Sequence, residues 1–160
     1  MSLLHALQQF LPTPADTDAL GARLAATRPA RGVVHLHGDL GAGKSSLARA
    51  LLRSLGVTGP VRSPTYTLVE RYTLPDGEAL HLDLYRIADP GELEYLGLDA
   101  LSDGAVLWLV EWPERGRGAL PAADLQVRLA VDGEGRRIEL EATSPEGEAW
   151  LRRMEDSADS

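Results

Sequence analysis

The sequence predicts an α/β protein: a three-layer sandwich around a mixed, mainly parallel sheet, with an antiparallel hairpin late in the chain. Two observations favour this class. Strand-like and helix-like segments alternate early in the chain, and short segments of alternating polarity flank turn residues later on. A length of 160 residues suits one hydrophobic core. We therefore expect a single domain at residues 1–154 and a disordered acidic tail at residues 155–160.

The composition excludes several classes of function. Against 24 Asp and Glu there are 16 Lys and Arg, so the net charge is −8, and cysteine is absent. This excludes disulfides, thiolate nucleophiles and cysteine-ligated metals, and it argues against strong unaided binding to nucleic acid. No apolar run approaches the ~20 residues that cross a bilayer, and the chain starts without a basic leader. We therefore expect a cytoplasmic protein that does not bind or span a membrane.

The first half of the chain shows helix and strand signals in succession. Thr13 followed by Pro14 begins a helix that ends near Arg28. Gly32–His37 is a short apolar run that predicts a strand buried on both faces. After a glycine-rich turn, apolar residues recur at helical spacing across Lys44–Leu55. A second helix is therefore expected directly after the strand and its turn.

The second half predicts mainly strands. Tyr66–Tyr72 and Ala79–Asp83 flank a turn and form one hairpin. Ala105–Val110 is the most apolar stretch and predicts a central strand, whereas Leu125–Val131 and Arg137–Glu141 alternate in polarity and predict an antiparallel hairpin at the sheet edge. Two further helices are predicted, one across Asp89–Leu96 and one that starts at Ser144.

The segment Gly38–Ser45 has the pattern G-x-x-x-x-G-K-[ST] between a predicted buried strand and a predicted helix. The glycines let backbone N–H groups turn inward around phosphates, and the helix N-terminus adds partial positive charge. Lys44 is the only lysine; it supplies a point charge for the terminal phosphates, and the Ser45 hydroxyl can bind Mg²⁺. The pattern predicts a P-loop whose cofactor-binding residues are Asp39, Leu40, Gly41, Ala42, Gly43, Lys44, Ser45 and Ser46.

A magnesium site beside this loop needs an acidic partner at the end of an apolar strand. Two candidates exist: Glu111 ends the most apolar stretch, and Asp83 ends the second strand of the first hairpin. Because a carboxylate at the end of a buried strand is costly without a cation or hydrogen-bond donors, Glu111 is the better metal candidate. Either residue could instead be an acid in an exposed loop, and the sequence does not separate their roles.

Other polar groups have open interpretations. Arg62–Thr67 lies where nucleotide switch segments place a hydroxyl or a positive charge, but a proline-marked turn into a strand explains its composition equally well. His35 and His37 alternate onto one face of a strand. Because cysteine and an obvious third ligand are missing from the sequence, packing histidines are favoured over a metal pair.

Five segments follow one another in a recognisable order: HGDLGAGKSS, RSPTYTLVERY, HLDLYR, DPGELEYLGL and VEWPERG. Together they closely resemble the bacterial TsaE family, the small ATPase needed to make threonylcarbamoyladenosine in tRNA. The resemblance runs from about Leu11 to Glu141. It implies a P-loop NTPase-like fold and slow ATP hydrolysis that partners raise. The implied partners are the threonylcarbamoyl transferase subunit and its paralogous partner, with tRNA bound only indirectly through the complex.

The resemblance also implies roles for individual residues. ATP or ADP would bind at the loop, Ser45 and Glu111 would hold Mg²⁺, and Asp83 would act near the terminal phosphate as the second catalytic acid. Thr17 would lie near the adenine, and Arg136 would contact the nucleotide. The family usually has threonine at the position of Ser45, but either hydroxyl can bind Mg²⁺. The expected switch or partner residues are Arg62, Ser63, Thr65, Tyr66 and Trp112.

Two rival functions differ from this expectation. A small-molecule kinase could use the same loop with the arginines of Glu114–Gly118 as a lid, although the short chain shows no insertion that would build an acceptor pocket. A nucleotide-dependent binding module could act as a switch without hydrolysis. We expect an accessory ATPase subunit, whose hydrolysis resets the transferase complex and leaves tRNA chemistry to the partners.

Overall fold

The computed structural model describes residues 5–62, 64 and 68–158, without the side chains of residues 95 and 158. Within these residues one sheet forms the centre of the fold. Its strands are β1 (Ala6–Leu11), β2 (Gly32–His37), β3 (Val69–Leu74), β4 (Gly77–Asp83), β5 (Ala105–Glu111), β6 (Leu125–Asp132) and β7 (Gly135–Ala142). The helices are α1 (Pro14–Thr27), α2 (Lys44–Ser54), α3 (Leu98–Ser102) and α4 (Pro145–Ala158), with 3₁₀ helices at Pro90–Leu96 and Pro113–Gly116.

The strands lie in the order β1-β7-β6-β2-β5-β4-β3. The four in the middle are parallel, since β2 pairs with both β5 and β6 and β4 pairs with β5. The pairs on either side of them are antiparallel. The α/β class and the mixed sheet are thus confirmed, with parallel pairing confined to the middle. The parallel arrangement brings the carboxyl ends of β2, β4 and β5, which are His37, Asp83 and Glu111, to the same side of the sheet, its carboxyl edge.

Apolar side chains cover both faces of the central strand β5, because every residue of β5 is buried and successive side chains point to opposite faces. Leu107 and Leu109 belong to a core that also contains leucines of α1, α2 and α4. Trp108 and Val110 belong to a second core, which includes Leu93 of the 3₁₀ helix and Leu98 of α3. Helical segments therefore lie on both faces of the central strands, as the alternation of segments predicts.

Helix α1 packs directly on α2, and this contact brings the start of α1 towards the glycine loop, which is formed by residues 38–45 between β2 and the first turn of α2. At the crossing, a Cβ added to Gly21 would lie 2.6 Å from the Cβ of Ala50, so only glycine permits this approach. Thr13 precedes α1 and forms the capping box with Asp16, whose carboxylate accepts the Thr13 N–H at 2.9 Å. The predicted start of this helix is confirmed.

Several expectations about elements need correction. The β6–β7 hairpin is antiparallel as predicted, but β7 is not the outermost strand of the sheet, because β1 pairs with it along Ala6–Leu11. Strand β2 is fully buried on one face and half-buried on the other. Helix α4 continues to Ala158, so residues 155–158 are helical where a disordered tail is expected; residues 159 and 160 lie outside the described part. No helix in the described ranges has the length and apolar character to span a membrane.

Candidate functional site

The glycine loop joins the end of β2 to the start of α2 at the carboxyl edge of the sheet. Gly43, the residue before α2, has φ 107°, and Gly41 has φ 82°. Both values lie in the left-handed region, which glycine adopts without the steric cost that a Cβ imposes. The chain can therefore turn sharply and present the first N–H groups of α2 towards the loop.

Lys44 carries its charge inside this loop. The residue is 4% exposed, and its Nζ donates to the carbonyl oxygens of Gly38 and Asp39, the latter at 3.1 Å. Nζ also lies 4.4 Å from the centroid of the Trp112 ring, which is a cation–π contact. Burial lowers the pKa of Lys44, while the carboxylates of Glu111 and Asp83 oppose this change. The site therefore holds a desolvated cation among neutral loop groups, near two acids.

Ser45 and Glu111 meet at the same edge. The Ser45 Oγ, in the first turn of α2, lies 3.0 and 2.9 Å from the two oxygens of the Glu111 carboxylate. Glu111 ends β5 and is 3% exposed, so the hydroxyl supplies a donor that a buried carboxylate needs. Hydroxyl and carboxylate oxygens are the ligand types that Mg²⁺ prefers. The described residues contain no cluster of three or more His, Cys, Asp or Glu that would form an all-protein metal cage.

Asp83 lies beside Glu111, because parallel pairing of β4 with β5 sets the two residues opposite each other. Asp83 is 7% exposed, and its Oδ1 accepts the N–H of Tyr85 at 3.0 Å. The Asp83 N–H donates to the carbonyl of Leu68 at 3.0 Å, which connects this acid to the segment before β3. Both candidate acids are therefore buried at the strand ends rather than exposed in loops, and of the two it is Glu111 that bonds Ser45.

Two contacts were not found from the sequence. His81, two residues before Asp83 on the same face of β4, lies 2.6 Å through Nε2 from Glu111 Oε2. The alternation His-Leu-Asp at the end of a predicted strand is the signal that could have found it. The Trp112 ring, which covers Lys44, also packs on the ring of Tyr85 with centroids 5.0 Å apart. Trp112 has φ 58°, a left-handed backbone conformation that is unfavourable for a bulky residue. In this conformation its ring lies over Lys44.

A cavity of about 460 Å³ lies next to the loop, between α1, α2 and the turn of the β6–β7 hairpin. Four of the predicted cofactor-binding residues line it: Thr17, Gly43, Ser46 and Arg136. Arg136 also donates from Nη2 to the Gly41 carbonyl at 3.2 Å, so the hairpin is hydrogen-bonded to the loop. The volume falls within the range of ordinary ligand pockets.

Other predicted residues are less enclosed. Asp39 and Leu40 are exposed on the loop, where the Asp39 carbonyl accepts from Lys44, and Leu40 is 65% exposed. The Arg62 N–H donates to the hydroxyl of Tyr72 on β3 at 3.2 Å. His35 bonds the Pro121 carbonyl at 3.2 Å, and burial lowers its pKa against the opposing effect of that bond. Ser63, Thr65 and Tyr66 lie outside the described residues.

The fold and this edge together define a class: α/β proteins in which a glycine loop, a buried lysine and strand-end carboxylates meet at the carboxyl ends of parallel strands. A sequence model described as threonylcarbamoyl adenosine biosynthesis protein TsaE matches residues 11–138. The chain belongs to the TsaE family, whose members take part in tRNA threonylcarbamoyladenosine biosynthesis. The family suggested by the sequence motifs is thereby confirmed.

Individual relatives cover most of the chain. A tRNA threonylcarbamoyladenosine biosynthesis protein TsaE of Haemophilus influenzae is 47% identical over 108 residues, which is 68% of each chain. The Bacillus subtilis protein of the same name is 36% identical over 124 residues, covering 78% of this chain and 77% of its own length. The crystal structure of Bacillus subtilis YdiB superposes with a TM-score of 0.82 at 26% identity and covers 99% of both chains.

Proposed function

We propose that this protein is an ATP-binding and ATP-hydrolysing accessory subunit for the synthesis of threonylcarbamoyladenosine in tRNA, and that ATP turnover resets the threonylcarbamoyl transferase partner. The observation that carries the proposal is the meeting of Lys44, Ser45 and Glu111 at one edge of the sheet. Membership of the TsaE family supplies the pathway. The nucleotide, the metal and the partners are inferred from the chemistry of the site and from the family resemblance.

The residues of the loop fit a nucleotide phosphate group. Lys44 is a buried cation whose hydrogen bonds go to two neutral carbonyls, so an anion at the loop would offset its charge better than these groups do. The N–H groups that begin α2 add partial positive charge. In this proposal Lys44 binds the terminal phosphates, and the backbone of Gly41–Ser45 surrounds them.

The paired oxygens of Ser45 and Glu111 fit Mg²⁺ on the same reasoning. Mg²⁺ in nucleotide sites is held by one or two protein oxygens together with phosphates, so a large cluster of acids is not needed. Bound Mg²⁺ would neutralise charge that develops on the phosphates during hydrolysis. Asp83, adjacent to Glu111 but bonded to the Tyr85 N–H, is then the acid that orients water or the switch segment.

The cavity beside the loop is the proposed place of the nucleoside. Thr17 of α1 and Arg136 of β7 line it, and Gly43 and Ser46 connect it to the loop. A nucleotide in this position would have its phosphates at Lys44 and its base beside α1. In this proposal Thr17 lies near the adenine, Arg136 contacts the nucleotide, and the protein acts in the cytoplasm with the tRNA complex.

Calorimetric titration with ADP and Mg²⁺ tests the site. The variant Lys44→Ala is expected to lose measurable binding, and Lys44→Arg to bind poorly, because a planar guanidinium cannot replace a compact ammonium in a tight loop. Arg152→Ala, which removes an exposed cation from α4, is the matched control and should bind as wild type does. Unchanged affinity in both Lys44 variants would refute the assignment.

The melting temperature checks that Lys44→Ala remains folded. Burial lowers the pKa of Lys44 in the folded chain relative to the unfolded chain. At pH values below the pKa of the unfolded chain, keeping Lys44 protonated therefore lowers the free energy of unfolding. Because the amine also donates to two carbonyls, the two effects oppose each other, and Lys44→Ala is expected to melt within roughly 5 °C of wild type. A marked decrease would show that the Lys44 side chain also stabilises the fold, and Lys44→Arg would then decide the assignment.

A further inference from the structure

His81 on β4 is a buried histidine with one specific contact. The residue is 1% exposed, and its Nε2 lies 2.6 Å from Oε2 of Glu111. Its other ring nitrogen, Nδ1, is buried and has no hydrogen-bond partner among the described residues. Every polar contact that the described structure gives this ring is therefore directed at the one carboxylate proposed to hold Mg²⁺.

These contacts indicate which nitrogen of the His81 ring carries a proton. A proton on Nε2 is donated to the carboxylate, and Nδ1 then buries only a lone pair. A proton on Nδ1 would instead leave a buried donor unpaired and set the lone pair of Nε2 against a carboxylate oxygen. The geometry therefore assigns the Nε2–H form, in which His81 is a donor to Glu111.

The sheet explains why the ring reaches this carboxylate. Parallel pairing sets His81 opposite Leu109 and Asp83 opposite Glu111, so His81 lies one pleat below the carboxylate on the same face. Ser45 approaches from α2 and lies at 3.0 and 2.9 Å from the two carboxylate oxygens, whereas His81 bonds Oε2. The Glu111 side chain is thus held between a helix and the neighbouring strand.

We propose that His81 is a positioning residue for the metal ligand: its Nε2–H holds the Glu111 carboxylate in the orientation that faces Ser45. The inference rests on the proposed function, because the carboxylate matters only if Mg²⁺ and nucleotide bind there. Groups that hold a ligand in this way usually contribute about 10–100-fold to metal affinity. His81 touches neither phosphate nor metal in this account and acts only through Glu111.

Two substitutions of similar size separate positioning from packing. In His81→Gln the amide nitrogen can occupy the place of Nε2 and donate to Glu111, whereas in His81→Asn the shorter amide reaches only the place of Nδ1. The readout is the Mg²⁺ enhancement, which is the ratio of ADP affinity with Mg²⁺ to ADP affinity in EDTA, measured by calorimetry. His35→Asn is the matched control, because His35 lies on the parallel strand β2 and bonds the Pro121 carbonyl.

We expect His81→Asn to reduce the Mg²⁺ enhancement by about tenfold while the affinity in EDTA is unchanged. His81→Gln and His35→Asn should keep the enhancement. Glu111→Gln is the positive control and should lose the enhancement. When it does, a wild-type enhancement in His81→Asn overturns the inference, and so does an equal loss in His81→Gln and His81→Asn. Wild-type protein that shows no enhancement at all contradicts the proposed function itself.

If His81→Asn does not fold, the wild-type protein decides. Nitrogen-15 NMR of its histidine rings distinguishes the two neutral forms directly, without nucleotide or metal. The Nε2–H form of His81 is expected, and an Nδ1–H form would overturn the inference.

Discussion

Glu111 and Asp83 are both buried carboxylates at the ends of adjacent parallel strands, yet their partners differ. Glu111 accepts from Ser45 and His81, whereas Asp83 accepts the Tyr85 N–H and is connected through its own N–H to Leu68. A carboxylate bonded to the serine of the loop is suited to a metal bound with phosphate. A carboxylate connected to the segment before β3 is suited to orient water or a switch.

This difference predicts distinct effects for two isosteric variants. Glu111→Gln should weaken Mg²⁺-dependent ADP binding by about tenfold or more, because a charged ligand is replaced by a neutral one, and should leave binding in EDTA nearly unchanged. Asp83→Asn should retain both affinities and mainly slow turnover. Titrations with and without Mg²⁺, together with phosphate release, measure these effects. Identical profiles for the two variants would show that the roles are not divided in this way.

Site residues could be predicted from the sequence where their role follows from a local sequence pattern. Lys44 and Ser45 belong to one contiguous pattern, and Glu111 ends the most apolar strand. His81 could not be assigned, because its contact with Glu111 depends on which strands pair and in which register. The contact of Trp112 with Lys44 depends on a left-handed backbone conformation that the residue type does not indicate.

Among the elements, the glycine loop gives a test of backbone conformation. Gly43→Ala places a Cβ at φ 107°, which costs roughly 1–2 kcal/mol and shifts the N–H groups that begin α2. Gly59, in an exposed bend after α2, has φ 80° and open space where a Cβ would lie. Gly59→Ala therefore adds the same type of strain away from the loop.

We expect Gly43→Ala to reduce ADP affinity about tenfold, the loss that follows when one hydrogen bond to a charged phosphate is misdirected. Gly59→Ala should bind ADP as wild type does, although both variants should melt at a lower temperature. Calorimetry and thermal unfolding provide the two measurements. Equal losses of affinity in both variants would show that strain anywhere near α2, and not the loop conformation, controls binding.

Elements with strong local signals were predictable, whereas β1, which lacks such a signal, was not. The helices that begin at Pro14 and Pro145 carry a cap residue followed by proline, and β5 is uniformly apolar up to its last residue. Strand β1 has only weak alternation and exposes Phe10, so its extended form depends on hydrogen bonds to β7. This pairing is also why β7 is not the edge strand that its sequence suggests.

At the scale of the whole molecule, charge bears on how the protein would meet tRNA. The net charge is −8, and the described arginines pair in part with acids, as Arg71 does with Glu78 and Arg128 with Glu139. Non-specific affinity for nucleic acid depends on neutralising phosphates with a basic surface. In the proposed function the partner subunits therefore hold the tRNA, and this chain contributes ATP turnover.

Release of phosphate from ATP, measured for the chain alone and with the transferase subunit and its paralogous partner, shows whether the protein is a partner-stimulated ATPase. We expect slow release alone, a rise of at least about tenfold when both partners are present, and no rise with Glu111→Gln. Transfer of phosphate to a small acceptor would favour a kinase, and nucleotide binding without any phosphate release would favour a switch. Full-speed hydrolysis by the chain alone, or no hydrolysis with the partners, would refute the proposed role as a partner-stimulated ATPase.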